Sequence, residues 1–321
     1  MKAVDFKSAI SNVLSGEGCS AEFYFLLRGK EGSILKFVDI NEEDQESLSN
    51  MFIDSIKDKI LKNDDLALIE ISNADDRTNA IYRYDLDEVP LELLCLNDIL
   101  SNDDFERFDF GKDELGKVVG ILILVGNQNE QLVLYKYQYP VMLIKQDRGF
   151  SLIKSRDANR FEKISEDILK INSNFDFLHI KSEYYVLNLY PLERFSGFQH
   201  AIKNDAEKSI EIIDKVDIVE DISVLSDRLD DMSFARKLVR STKKSPVLGV
   251  VPNNIIVSFS NSHPALRGKF KYNIDRTKIN LATKKSQNLF LKILNDDYLQ
   301  SELTKLFYDS SAKDSVDISI N

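Results

Sequence analysis

Charge is distributed so unevenly along this 321-residue chain that one segment constrains how the rest must fold. Between Met232 and Lys292 there are thirteen Lys and Arg and one acid, Asp275, a formal charge of +12. The whole chain carries −11, which leaves −23 on the other 260 residues. A segment with a single carboxylate cannot neutralise its own cations. Either its bases meet acids from elsewhere, or they face solvent. The stretch 205–231, with ten acids against three bases, runs straight into it. Acid beside base allows a salt-bridged pair of helices, or two opposite faces of one domain. A cationic surface on an acidic protein points to a polyanionic partner, nucleic acid first, while the acidic remainder limits indiscriminate binding.

The block has internal order. Residues 232–244 (MSFARKLVRSTKK) predict a helix with Phe234, Ala235, Leu238 and Val239 on one side. Arg236, Arg240, Lys243 and Lys244 form a cationic strip on the other, with Lys237 beside them. Bases near its C-terminal end suit the helix dipole. Val247–Ser260 carries no charge and predicts a buried helix or strand. Arg267, Lys269, Lys271, Arg276 and Lys278 follow. The alternation Lys269-Phe270-Lys271-Tyr272 predicts a strand with bases on one face and aromatics on the other. Lys284 and Lys285 open the last helical region. These twelve bases are candidate phosphate contacts, which add affinity by displacing counterions but read no sequence. No helix-turn-helix, zinc-finger or RNA-recognition signature accompanies them.

The rest predicts an α+β protein: an N-terminal mixed α/β region (1–110), a central, mainly antiparallel sheet, and a helical C-terminal region. Strands are expected at 21–28 and 34–40 around the turn 29–32, and at 65–72 and 80–86. A helix is expected over 42–62, capped at Asn41, with Phe52, Ile53, Ile56 and Ile60 on one face, and another over 91–100 after Pro90. The acidic stretch 101–114 is the expected boundary to a second domain, 115–315. Strands then follow at 116–125, 131–137, 141–145, 150–154, 168–171, 175–180 and 184–189, with hairpin turns at 126–130 and 146–149. Amphipathic helices are expected over 191–215 and 219–230.

Catalytic signatures are sparse. His179, His200 and His263 fall in unrelated segments, and Cys19 and Cys95 fit no metal spacing, so they read as free thiols. No phosphate-binding or dinucleotide-binding glycine pattern occurs, and no cofactor is implied. Asp65 and Glu70 have the acid-strand-acid spacing of a metal-dependent nuclease, but Ser72 stands where a Lys would follow. The apolar run Val118–Val125 is too short to span a bilayer, and Asp5 interrupts the N-terminus, so a cytoplasmic location is expected.

The segment 294–304 (LNDDYLQSELT), followed by Tyr308 and Ser310-Ser-Ala-Lys313, resembles the closing signature of the KwaB-like family, named for the second component of the bacterial Kiwa anti-phage system. Phe175-Asp-Phe177, Tyr184–Asn188 and Leu192–Phe195 resemble its middle. The likeness covers about 115–313; the first hundred residues give no match. The resemblance implies a cytoplasmic protein that partners a small membrane protein of the KwaA type. It also implies homodimers, DNA binding and interference with phage replication and transcription. It carries no catalytic residue. With no catalytic constellation in the residues, neither catalysis nor a small-molecule substrate is expected. Locally, the closing signature reads as a helix capped by Asp296 or Asp297, packed by Tyr298, Leu299, Leu303 and Leu306, with Ser301 and Thr304 bonding backbone. Two other readings stand beside DNA binding: a Mg²⁺-dependent DNA nuclease, and an interaction module meeting anionic lipid or an acidic partner at a membrane surface.

Overall fold

The computed structural model describes residues 3–309 apart from 30–32, 75–78, 103, 128, 145–151, 155–160, 164–166, 196 and 302. The turns expected at 29–32 and 146–149 and the 310–313 end of the closing signature lie wholly or largely outside the described residues. The chain forms two compact units, Met1–Tyr84 with Pro90–Ser196, and Asp85–Val89 with Gly197–Asn321.

The first unit is built on one eight-stranded sheet. Its strands are β1 (Ser20–Arg28), β2 (Ser33–Phe37), β3 (Ala67–Glu70), β4 (Ala80–Arg83), β5 (Val118–Gly126) and β6 (Gln131–Tyr137). The short ladders β7 (Leu143–Ile144) with β10 (Ile168–Leu169), and β8 (Leu152–Lys154) with β9 (Phe161–Lys163), come next. β11 (Phe177–Ile180) and β12 (Glu183–Val186) complete the sheet, in the order β2-β1-β5-β6-β11-β12-β4-β3. Every neighbouring pair is antiparallel except β3 and β4. The continuous apolar run of β5 is explained by its place inside the sheet, where Ile121, Leu122 and Ile123 are all fully buried.

Helix α1 (Ala3–Ser15) buries Phe6, Ala9, Ile10 and Val13, and α2 (Glu42–Ile56) buries Phe52 and Ile56 in the same core. The Phe6 ring lies 4.3 Å from Tyr185. Asn41 caps α2 by accepting from Asp44 N at 3.0 Å. The helix continues as a π-helical turn, Lys57–Leu61. Helix α3 (Leu91–Ser101) packs on β6 and β11, burying Leu93, Leu96 and Ile99. Helix α4 (Leu189–Phe195) ends the unit.

The acidic stretch 101–114 does not divide domains. β1 pairs with β5 across it, so the N-terminal strands and the central strands share one sheet. The stretch itself docks on the edge of β2, with Phe37 N donating to Glu106 O (2.9 Å) and Phe108 N to Phe37 O (2.8 Å).

The second unit is helical. α5 (Phe198–Val216), the single-turn α6 (Ser223–Ser226), α7 (Met232–Lys243) and α8 (Asn253–Ser262) come first. The two-residue strands β13 (Lys271–Tyr272) and β14 (Ile279–Asn280) pair, and α9 (Lys284–Leu294) follows. α7 packs between α5 and α9, burying Phe234, Ala235, Leu238 and Val239 as its periodicity requires. The helix expected over 219–230 is reduced to α6, because Val219 bridges to Ile279 instead. The helix expected after Asp296 is a hairpin, β15 (Tyr298–Gln300) with β16 (Phe307–Asp309). Asp296 (φ 55°) and Lys305 (φ 56°) are left-handed there, and Leu303 and Leu306 are exposed. Ser301 still bonds backbone, its Oγ accepting from Thr304 N at 3.1 Å.

Gly120 on β5 makes a testable packing constraint. A Cβ at this position would lie 2.6 Å from the Tyr135 ring, which stacks on Phe177 at 5.1 Å. Gly120→Val should lower stability by about 3 kcal/mol in urea unfolding, from overpacking; an unchanged midpoint would show that the sheet centre yields easily.

Candidate nucleic-acid interface

Helix α7 forms because Asp231 caps it, accepting from Phe234 N at 3.2 Å, and because its apolar side is buried. Its bases divide into two classes. Lys237 is exposed, whereas Arg236 and Arg240 are half-buried. Lys243, expected in the cationic strip, is committed inside the unit. Its Nζ donates to Asp205 (2.8 Å), Asp87 (3.1 Å) and the Asp85 carbonyl (3.0 Å), which uses all three ammonium protons.

The acceptor at the centre is Asp205 on α5, whose side chain is fully buried. It accepts from Lys243, from Lys208 (3.4 Å) and from Asp87 N (3.2 Å). Lys208 also reaches Asp87 at 2.8 Å, and Asn204 Nδ2 donates to Glu88 at 2.5 Å. The group fastens segment 85–89 to α5 and α7. Hydrogen bonds from Lys208 and Lys243 hold the Asp87 carboxyl below its ordinary value. Burial works to lower Lys243, but the bonds to Asp205 and Asp87 outweigh it and hold the ammonium above its ordinary value.

Lys278 is likewise paired, 2.5 Å from Asp217 at the C-terminus of α5. Two expected phosphate contacts are therefore internal ties. Their acids could not be matched from sequence, since Asp87 and Lys243 lie 156 positions apart.

Seven bases remain exposed or nearly so and form no ion pair among the described residues: Lys237, Arg267, Lys269, Lys271, Arg276, Lys284 and Lys285. The expected alternation before the hairpin is present. Phe270 is buried and Tyr272 bonds Ser260 Oγ at 2.9 Å, while Lys269 and Lys271 face out. Arg276 occupies the hairpin turn with a left-handed backbone, φ 54°. Lys284 and Lys285 begin α9, where the dipole disfavours cations. A capping box between Thr283 and Ser286 holds that helix start. Lys284 acts on one internal carboxylate at longer range: burial raises Asp231, but its bond from Phe234 N, Arg228 and the Lys284 charge together hold it below its ordinary value. Lys244 closes α7, and burial holds its amine below the ordinary value.

Of the other candidate chemistry, Asp65 and His200 are exposed, and the rest lies within the fold. Glu70 is bonded to Arg83 at 2.8 Å, and Arg83 reaches Glu183 at 3.3 Å. His179 and His263 are buried, and burial lowers both below the usual imidazole range. Cys19 and Cys95 are free thiols.

Residues 115–304 match the family model described as Kiwa protein KwaB-like. The chain belongs to the Kiwa KwaB-like family. It is also 33% identical over 289 residues to Kiwa protein KwaB of Escherichia coli O55:H7 (strain RM12579 / EPEC), covering 88% of this chain and 90% of that protein. That coverage cannot be reached without the N-terminal part, so the KwaB likeness is wider than the 115–313 seen in the sequence. It agrees with a first unit whose sheet runs through both regions. No solved structure matches.

Two outcomes separate ties from contacts. Lys243→Met leaves the buried Asp205 with Lys208 as its remaining ammonium, and should cost about 2 kcal/mol in chemical denaturation. Lys237→Met, at an exposed site, should cost less than about 0.5 kcal/mol. Asp87 gives the pH signature. Its depressed carboxyl contributes stability above the unfolded value, and that contribution is lost as pH falls below about 4. Asp87→Asn should flatten the acid-side decline of the thermal midpoint.

Proposed function

We propose that this Kiwa KwaB-like chain is a DNA-binding effector of anti-phage defence. In this reading the exposed bases of the second unit hold the DNA backbone, and the bound protein blocks phage replication or transcription. It acts as a homodimer, without catalysis, beside a KwaA-type membrane partner. The observation carrying this reading is the division of the basic block. Lys243 and Lys278 satisfy internal carboxylates, while seven others are left without an internal ion pair among the described residues. Cations surplus to the fold are what phosphate binding requires.

Membrane association is assigned to the partner. Among the described residues, no helix is long and apolar enough to cross a membrane. A nuclease using Asp65 and Glu70 is disfavoured, since Glu70 is already engaged by Arg83.

The combined variant Lys269→Glu, Lys271→Glu, Lys284→Glu, Lys285→Glu should bind duplex DNA at least 100-fold more weakly in a mobility-shift assay, with an unfolding midpoint no lower than the parent's, since acids suit the start of α9. Equal affinity of variant and parent would refute the assignment. Incubating the parent with phage DNA and Mg²⁺ should leave the DNA intact; cleavage abolished by chelation would favour the nuclease. Binding to anionic vesicles in preference to DNA would favour the membrane-surface module.

A further inference from the structure

A second charge imbalance lies in the first unit, far in sequence from the basic block. A cleft of 590 Å³ is lined by Lys59, Asn63, Asn79, Asn174, Asp176 and Asn188, with Leu66 and Leu187 as apolar walls. Its volume falls in the range of small-molecule sites. Lys59 projects from the π-helical turn that ends α2, and such turns recur at functional sites. Asn174 and Asp176 lead into β11, and Asn188 follows β12.

The ammonium of Lys59 donates to Asn174 Oδ1 at 2.9 Å and lies 5.0 Å from the Phe175 ring centre. Behind Asn174 stands Lys136 of β6, only 5% exposed. Its Nζ donates to Asn172 Oδ1 (2.5 Å) and to the Asn174 carbonyl (3.1 Å). Among the described residues, both lysines donate to neutral amide oxygens and neither forms an ion pair. The carboxylate they share at longer range is Asp176, which accepts from Tyr137 N and Asn188 Nδ2, each at 2.7 Å. Asp58, at the rim, is paired with Lys62 at 2.7 Å. One buried and one partly buried ammonium therefore share one carboxylate at longer range. Burial depresses the lysines and raises Asp176, each away from its charged form.

A buried charge without a full counter-charge is costly to the fold, and the deficit here is one negative charge. The Lys59 ammonium has protons to spare, and Asn63 and Asn79, which also line the cleft, carry further amide donors. Several donors around one cavity suit a multi-oxygen anion. The cavity exceeds what one such anion fills, and the leucine walls suit a ring beside it. We propose that this cleft binds a phosphate group, as inorganic phosphate or on a mononucleotide. The site is independent of the DNA-binding bases and of the reading built on them.

The test is isothermal titration of the full chain with inorganic phosphate, a mononucleotide and the matching nucleoside. Phosphate, the mononucleotide or both should bind, with the nucleoside at least tenfold weaker. Binding to the mononucleotide alone would identify the source as a nucleotide. Lys59→Met, which keeps the aliphatic stem over Phe175, should weaken phosphate binding at least tenfold without lowering the thermal midpoint and without changing DNA affinity. Asp176→Asn should tighten it severalfold, by removing the competing charge. Burial depresses Lys59, so affinity should fall as pH rises through its pKa. The proposal is overturned if nothing binds, if nucleoside and nucleotide bind equally, or if Lys59→Met binds phosphate as well as the parent.

Discussion

Asp205 is a carboxylate with no exposure, and the second unit is arranged around satisfying it. An isolated buried carboxylate would cost several kcal/mol, so its two lysines and one backbone N–H are not optional. Lys243 comes from α7, Lys208 from α5, and the N–H from the 85–89 segment. One acid thus fixes where the C-terminal end of the basic helix lies against the acidic one, and which of its cations is spent.

That partition gives the charge imbalance a physical meaning. Had every base in 232–292 found an acid as Lys243 does, the block would be a strut. Instead the tie uses Lys243, a second tie uses Lys278, and Lys237 on α7, Arg267, Lys269 and Lys271 up to β13, Arg276 in the hairpin turn and Lys284 and Lys285 at the start of α9 form no ion pair among the described residues. Lys284 and Lys285 sit where helix energetics resist them, which gives the surplus a cost within the fold.

What could be read from the residues was whatever depends on local periodicity. The wheel of α7, the alternation at Lys269–Tyr272 and the apolar run of β5 all declare their burial in a few consecutive residues. Helix α1 carries the same kind of signal in Phe6, Ala9, Ile10 and Val13. The rest was not local. Nothing near residue 110 shows that β1 pairs with β5, or that 101–114 lines the edge of β2. Asp296 is a residue type that caps helices, but its left-handed backbone follows the end of α9 and leads the chain into a hairpin. The Lys59, Lys136 and Asp176 grouping joins residues up to 117 positions apart and had no sequence signature.

The central claim is that the surplus cations bind DNA phosphate, and the dependence of duplex affinity on salt tests it most directly. Each phosphate contact should contribute a slope of about −0.9 in log affinity against log salt concentration. Engagement of most of the seven bases predicts a slope of about −4 to −6. A slope near zero, or no measurable binding at low salt, would contradict the account.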